Sequence, residues 1–435
     1  MRLIVIVAIS LLCQAVAAVT DADRVRVYHD FRTEFDARQY LAALPLAVEL
    51  VALSEEQYGA ADRSLAVPVC NLATTQYRLH DFKKAEDAYL RAIRIVEDSS
   101  GGADRALLRP LHGLGATYFA THQYEDAALM LKRALDLSRN LDGLFNPEQM
   151  SILDPLIDSL VALDRNEEAE RALDYSVRVA ESAYGKTDLH VLRPLDRSAR
   201  WQEKMGRYPT ARVLYARALQ IAEQAGPGAA INTVEPLEGI ARMYRLEFVN
   251  REVDRSDAPP AAYAPAAARA GELNPDGERA LLMALKAIDG VDHRRRGVAF
   301  VELGDWYLSG ELPNRGLAAY RRAWQELVLA GSAELLAAPR QLSYRAPLAA
   351  VSRAKGRTSA DRESMEEHFV EVGFTVTREG RTSDVTAVES DATASQQKTV
   401  VSAIRRARYA PRLEGGEAVE TTGVRFRERL LSKVN

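Results

Sequence analysis

Proline returns through the first half of this 435-residue chain at nearly one interval: Pro68, Pro110, Pro155, Pro194 and Pro236 stand 42, 45, 39 and 42 residues apart. Such a period constrains the fold more than composition does, because a unit that recurs in sequence buries its apolar face against its own copies. Fourteen residues after Pro68, Pro110 and Pro194 comes an aromatic residue, Phe82, Tyr124 or Tyr208. At +3, +7, +10 and +11 from it stand Ala85, Tyr89, Ala92 and Ile93 in the first copy. Ala127, Leu131, Ala134 and Leu135, then Ala211, Tyr215, Ala218 and Leu219, fill the same places in the others. In the copy led by Pro155 the counterpart Asn166 arrives three residues sooner and continues with Ala169, Leu173, Ser176 and Val177, which reads as a shortened turn.

Apolar residues at +3, +4 and +7 make each unit two antiparallel helices, A then B, with the prolines in the first turn of helix A, where a missing N–H costs least. Ala85, Ala127, Ala169 and Ala211 mark the close approach between neighbouring helices. Tyr58-Gly59 and Tyr184-Gly185, 126 residues apart, put a glycine where helix B needs a left-handed cap. The array starts before Pro68, since Tyr40, Ala43, Ala47, Leu50 and Val51 repeat the helix B pattern behind a helix A over about 25–36. After Pro236 another helix A begins, an Ala/Pro-rich stretch interrupts, and a further pair follows, with Val298 to Leu308 as helix A and Gly316, Tyr320, Ala323 and Trp324 in helix B spacing. These units resemble the tetratricopeptide repeat, lengthened beyond its ~34 residues. The resemblance implies a solenoid whose concave face binds a protein or peptide through helix A side chains. Asn71, Tyr77, His112, Tyr118, Arg200 and Arg242 are the candidates for that face.

The N-terminus sets an expected compartment. Met1-Arg2 precedes an apolar run that ends in Ala15-Val16-Ala17-Ala18, with small residues at the −3 and −1 positions, the pattern of a cleaved secretory signal. The run is shorter than the ~20 residues of a spanning helix. With the signal gone Cys70 is the one cysteine, which leaves no intramolecular disulfide and reads as a small core residue.

From about residue 366 strand-like alternation replaces the helical period. Phe369 to Thr377 alternates, Arg378-Glu-Gly-Arg381 is a hairpin turn, Thr382 to Val388 returns, Thr393 to Ala407 is helical, and Val419 to Leu430 is a last strand in which Gly423 suits a bulge. Val372-x-Phe374-x-Val376-Thr377-x-x-Gly380-Arg381, then Ile404-Arg405-Arg406-x-Arg408-Tyr409-x-Pro411 and Gly-Gly-Glu-Ala-Val419, is similar to the C-terminal domain of TonB energy transducers. Phe374 and Val376 should face the helix, Gly380 should supply positive φ, and Pro411 should stop the strand. The resemblance implies contact with outer-membrane transporters or related envelope proteins by strand addition. Arg405, Arg406, Arg408, Val419, Val424 and Phe426 are the candidate contacts, and pairing of the last strand within a homodimer is an alternative use of it. The chain departs from that family at Ala407, where Trp is common, and has no His in residues 1–20 to face a membrane motor.

The layout expected is therefore a signal peptide over 1–18, repeats over 24–250, an Ala/Pro-rich linker or insertion over 252–276, a further helical repeat over 277–330, a linker over 331–365 and a TonB-like domain over 366–431. The fold class is mainly α, a repeat solenoid followed by a small α+β domain. Residues 340–435 carry 17 Lys and Arg against 13 Asp and Glu, a mild basic bias in a chain whose net charge is −4. That balance, with scattered aromatics, lacks the footprint of a nucleic-acid binder. Gly185-Lys-Thr187 lacks the earlier glycine of a phosphate loop, and no histidine spacing suits a metal. Ser352 and Lys355 have acyl-enzyme spacing with no Lys-Thr-Gly behind them, so a periplasmic serine hydrolase ranks last. The reading is a non-catalytic periplasmic adaptor without cofactor or metal. A membrane-anchored transducer, with the apolar N-terminal run uncleaved, is its alternative.

Overall fold

A computed structural model describes residues 21–255, 273–288, 290, 292–344, 346–347, 350 and 365–433. The signal-like run, most of the Ala/Pro-rich stretch, and Ser352 and Lys355 lie outside the described residues. The chain divides into two compact units, one up to Lys186 and one from Thr187.

Among its described residues the first unit has eight α-helices: α1 (Asp21–Asp36), α2 (Tyr40–Tyr58), α3 (Ala66–Arg78), α4 (Phe82–Ser100), α5 (Leu108–Ala120), α6 (Tyr124–Asp142), α7 (Gln149–Ala162) and α8 (Asn166–Tyr184). The even-numbered B helices start at 40, 82, 124 and 166, a period of 42 without drift. Each A–B turn is three residues long with its middle residue at positive φ: Arg38, His80, His122 and Asp164 at 61°, 61°, 61° and 53°. The turn before Asn166 is therefore not shortened. Ile152 stands where the period would put proline, and Pro155 lies inside α7, so the proline moved while the turn kept its length. Chain geometry at the turn fixes register; proline only tolerates the positions that helix packing leaves to it.

The B–A connections repeat as closely. Gly59, Gly101, Gly143 and Gly185 follow the four B helices with φ between 78° and 101°. Their ψ values, such as 153° at Gly59 and −178° at Gly101, are extended rather than the left-handed helical value expected of a cap. That combination is open essentially to glycine alone. Three residues further on, the side chains of Asp62, Asp104 and Asn146 accept the backbone N–H two residues ahead, at 2.8, 2.8 and 2.9 Å, and turn the chain into helix A.

Between repeats, size is matched across the interface. A Cβ on Gly113 of α5 would lie 2.3 Å from the ring of Tyr89 of α4, whose hydroxyl meets Thr74 Oγ1 at 3.0 Å. One period later the same two places hold Leu131 and Pro155. Cys70 is buried here, its thiol pushed up by desolvation, as a core residue should be.

The second unit opens with α9 (Leu192–Lys204), α10 (Tyr208–Gln224), α11 (Val234–Arg255), α12 (Pro275–Ala287), α13 (His293–Ser309) and α14 (Pro313–Leu329). α11 runs three residues past the expected start of the linker at 252, and α12, capped by Asn274, packs on α11 in the role of its helix B. The interruption thus falls inside a repeat. Gly277 of α12 takes the ring of Trp306, which is core, and Gly304 takes Tyr320.

The sheet region comprises β1 (Arg340–Ser343), β2 (Met365–Val376), β3 (Thr382–Ser390), α15 (Ala394–Arg406), β4 (Arg408–Ala410), β5 (Arg412–Glu414), β6 (Glu417–Val419) and β7 (Thr421–Lys433). β3, β2 and β7 form one antiparallel sheet in that order, and α15, with its Thr393/Gln396 capping box, covers it. Phe374 and Val376 share a core with Val400 and Ile404, and Gly380 has φ 78°. Pro411 separates β4 from β5. The last strand differs from expectation: Val419 belongs to the short β5–β6 hairpin, and β7 begins two residues later. Within β7, Phe374 pairs with Val424 but Val376 pairs with Thr421, a bulge at Gly423, where φ is 69°.

The segment expected as a linker contains β1, which pairs with β4. Leu336, Leu342, Ala410 and Leu413 complete the core of α11 to α14. Buried Asp305 of α13 accepts Arg340 Nη2 at 2.7 Å and the Tyr320 hydroxyl at 2.6 Å. The helices and the sheet region of this unit are one packed body.

Candidate binding surfaces

The four helix A candidates of the first unit each contact a neighbouring helix. Asn71, 5% exposed, accepts Arg109 Nη2 at 3.2 Å across α3 and α5. His112 is largely buried, which holds its imidazole below the ordinary range against a hydrogen bond to the Ser151 backbone. Tyr77 stacks edge-on to Phe82, and Tyr118 reaches Glu86 at 3.5 Å, its hydroxyl pushed up by burial and by that carboxylate. These four do not come together as one site. The turn histidines His80 and His122 are exposed, and His122 Nδ1 meets the Tyr124 hydroxyl at 2.7 Å.

Adjacent B helices of the first unit are tied by ion pairs between residues 36 apart: Lys132 with Glu168 across α6 and α8, and, in one register 42 residues apart, Arg91 with Glu55 and Arg133 with Glu97. The next place in the series holds Arg139 and Tyr175, and the guanidinium stacks on the ring at 4.1 Å instead. There a cleft of 560 Å³ opens between α6 and α8, floored by Leu153, Leu156 and Leu160 of α7. Sequence reasoning missed it.

In the second unit Arg242 and Arg200 sit in a charged network on α9, α11 and α13. Arg242 Nε donates to Glu203 at 2.9 Å and its Nη2 to the Tyr215 hydroxyl at 3.2 Å. Burial works against its charge, and the hydrogen bond and charge of Glu203 overcome this and raise it. Arg200 is exposed and paired with Asp196 at 2.8 Å and with Glu235. Between them Glu238 is pushed up to about 7 by burial and by neighbouring Glu302.

The basic candidates of the sheet region separate. Arg405 and Arg406 are exposed at the C-terminal end of α15, where cations complement the helix dipole. Arg408 has left the helix and pairs with Glu311 of the repeat at 2.8 Å. Val424 and Phe426 line the inner face of β7, with Phe426 4.7 Å from Tyr344, so they support the edge rather than present it. Val419, in β6, is no part of that edge. The exposed face of β7 carries Arg425, Arg427 and Arg429 in alternation. Arg425 meets Glu371 and Arg429 Nη2 meets Glu367, each at 2.7 Å, while Arg427 lies 3.8 Å over the Phe369 ring. Among the described residues β7 is bonded on one side to β2 and touched on the other by a single bridge, Ala350 to Leu430.

Among the described residues no group of three or more His, Cys, Asp or Glu could hold a metal, and no helix is long and apolar enough to cross a membrane. Paired helices with a terminal three-stranded sheet define a helical-repeat protein ending in a small α+β domain. The chain is a tetratricopeptide-repeat protein with a TonB C-terminal-like domain. The tetratricopeptide repeat model matches residues 70–140 and 148–224, and the model of the Gram-negative bacterial TonB protein C-terminal region matches 360–427.

No curated protein matches the chain. Among solved structures it is similar to the repeats of a putative kinesin light chain from Podosopora anserina, at 16% identity over 47% of this chain and 96% of that one, with a TM-score of 0.43. BtubC from P. vanneervenii is 17% identical over 53% of this chain and 97% of its own, with a TM-score of 0.40. YrrB, described as a repeat protein with an unusual peptide-binding site, is 17% identical over 57% and 96%, with a TM-score of 0.35.

Proposed function

We propose that this protein is a non-catalytic adaptor of the cell envelope, in the periplasm after removal of its signal. Its repeats hold one protein or peptide, and its C-terminal domain takes an extended segment of an envelope partner, such as an outer-membrane transporter, on the edge of β7. The observation that carries the reading is that edge: 13 residues long and, among the described residues, bridged at one point. An unpaired row of backbone N–H and C=O groups is a template for another strand. Arg425, Arg427 and Arg429 on the exposed face are matched by Glu371 and Glu367 of β2 and Glu389 of β3, so an incoming strand is held chiefly by its backbone.

A photo-crosslinking residue placed in turn at 424, 425, 426 and 427 in the native host tests this. Strand addition gives crosslinks to one outer-membrane or envelope protein with a two-residue alternation along β7. Crosslinks between two copies of the chain, or yields without alternation, would overturn it.

A further inference from the structure

We infer that the cleft between α6 and α8 is a second peptide site, for a segment carrying an aliphatic side chain beside a carboxylate. The inference deepens the reading of the repeats as a protein-binding array and rests on it.

The cleft sits where the repeat breaks its own rule. Arg91 with Glu55 and Arg133 with Glu97 close the two preceding seams between B helices. At the third seam Arg139 replaces the acid and Tyr175 replaces the arginine, so the pair of that register is absent, and α6 and α8 are tied by Lys132 with Glu168, nearer the start of α8, instead. Arg139 is held back against the ring, while Tyr175 is anchored by its hydroxyl, 2.8 Å from Gln149 Oε1. A local departure from a pattern kept elsewhere marks function more often than accident. The opening left, 560 Å³, falls within the range of small-ligand and side-chain pockets, roughly 300–1,000 Å³.

Its chemistry is divided. The floor is Leu153, Leu156 and Leu160, each at most 2% exposed, and an aliphatic side chain would lie on the apolar part of the lining above them, Leu135, Ala172 and the Tyr175 ring. One wall is α8, whose Arg171, Asp174 and Arg178 stand three and four residues apart on one face. The other charges of the lining are already matched: Lys132 by Glu168, and Arg139 by Asp136 at 3.2 Å. Arg171 has only exposed Glu167 at 3.7 Å, and Arg178 has no carboxylate within ion-pair distance among the described residues. The surplus is cationic, which selects a carboxylate. Asp174, between the two arginines and raised by burial, is placed to accept a backbone N–H of the same segment.

The test uses the full chain and two fluorescein-labelled decapeptides, one centred on Asp-Leu-Leu-Asp and one on Lys-Leu-Leu-Lys, followed by anisotropy. The acidic peptide should bind saturably and more tightly than the basic one. Arg178→Glu, at an exposed position, should weaken it at least about tenfold. Ala172→Trp, which fills the cleft, should abolish it. Failure of the acidic peptide to bind, preference for the basic one, or binding indifferent to both substitutions would overturn the site. Loss of binding in Arg427→Glu instead would move the peptide to β7, sinking this inference while leaving the adaptor reading intact.

Discussion

The two units of this chain are stabilised by different kinds of interaction. In the first, every B helix starts 42 residues after the last, and the same turn, glycine and Asx contact recur at each junction. Its contacts are local and interchangeable, so Tyr89 with Gly113 can give way to Leu131 with Pro155 without loss of register. In the second, an insertion splits a repeat and single long-range contacts such as Arg340 with Asp305 join helices to sheet. Regular repeats distribute their stability, as expected of a nearest-neighbour array. A fused end concentrates it in a few buried groups.

Removing one such group should have the largest effect. Arg340→Ala leaves Asp305, 3% exposed, with the Tyr320 hydroxyl as its side-chain partner among the described residues, and should cost about 3 kcal/mol in urea unfolding of the second unit. A loss below about 1 kcal/mol would show that the join is not concentrated there. In the first unit, Gly113→Ala drives a methyl into the Tyr89 ring and should cost about 2 kcal/mol. Tyr89→Leu in the same chain, which copies the Leu131 interface, should restore part of it. A double-mutant cycle with no coupling would break the idea that repeat interfaces trade size for size.

The smallest effect should be that of pH on Glu238. Its carboxyl is raised from 4.5 to about 7, so the stability it contributes is complete below pH 4.5 and is lost as pH rises through about 7. Glu238→Gln should therefore leave the second unit more stable than the wild type at pH 8, by about 1–2 kcal/mol, and flatten its profile between pH 4.5 and 7. An unchanged profile would mean that Arg242 and Arg295, which also face Glu238, already cancel its burial.

Much of this was legible from residues alone. The helical period, the aromatic start of most B helices, the capped helix after Thr393 and the Gly380 turn all follow from local chemistry. Proline is a poor guide at one point: Pro155 reads as the marker of its repeat, whereas the positive-φ turn residue keeps the period. β1 was not legible because Arg340 to Ser343 is too short to alternate and pairs with β4 some 70 positions away. The contacts of the candidate helix A residues were not legible because an A helix has neighbours on several sides, and periodicity does not say which side a polar residue faces. A signal for the cleft existed in the 36-residue spacing of Glu55 with Arg91 and Glu97 with Arg133, which Arg139 and Tyr175 then break.

What the sequence determined by itself is the repeat, its helices, its turns and the identity of the terminal domain, because helices and turns depend on residues within one or two turns of chain, and the repeat and the terminal domain on motifs set at fixed intervals along it. Tertiary structure alone decided that the terminal domain grows out of the last repeat's core, that β7 is, among the described residues, bridged at one point on the side away from β2, and that a gap opens at one seam. These depend on which distant side chains meet, and burial and ion pairing are set by that meeting rather than by any residue's own preference.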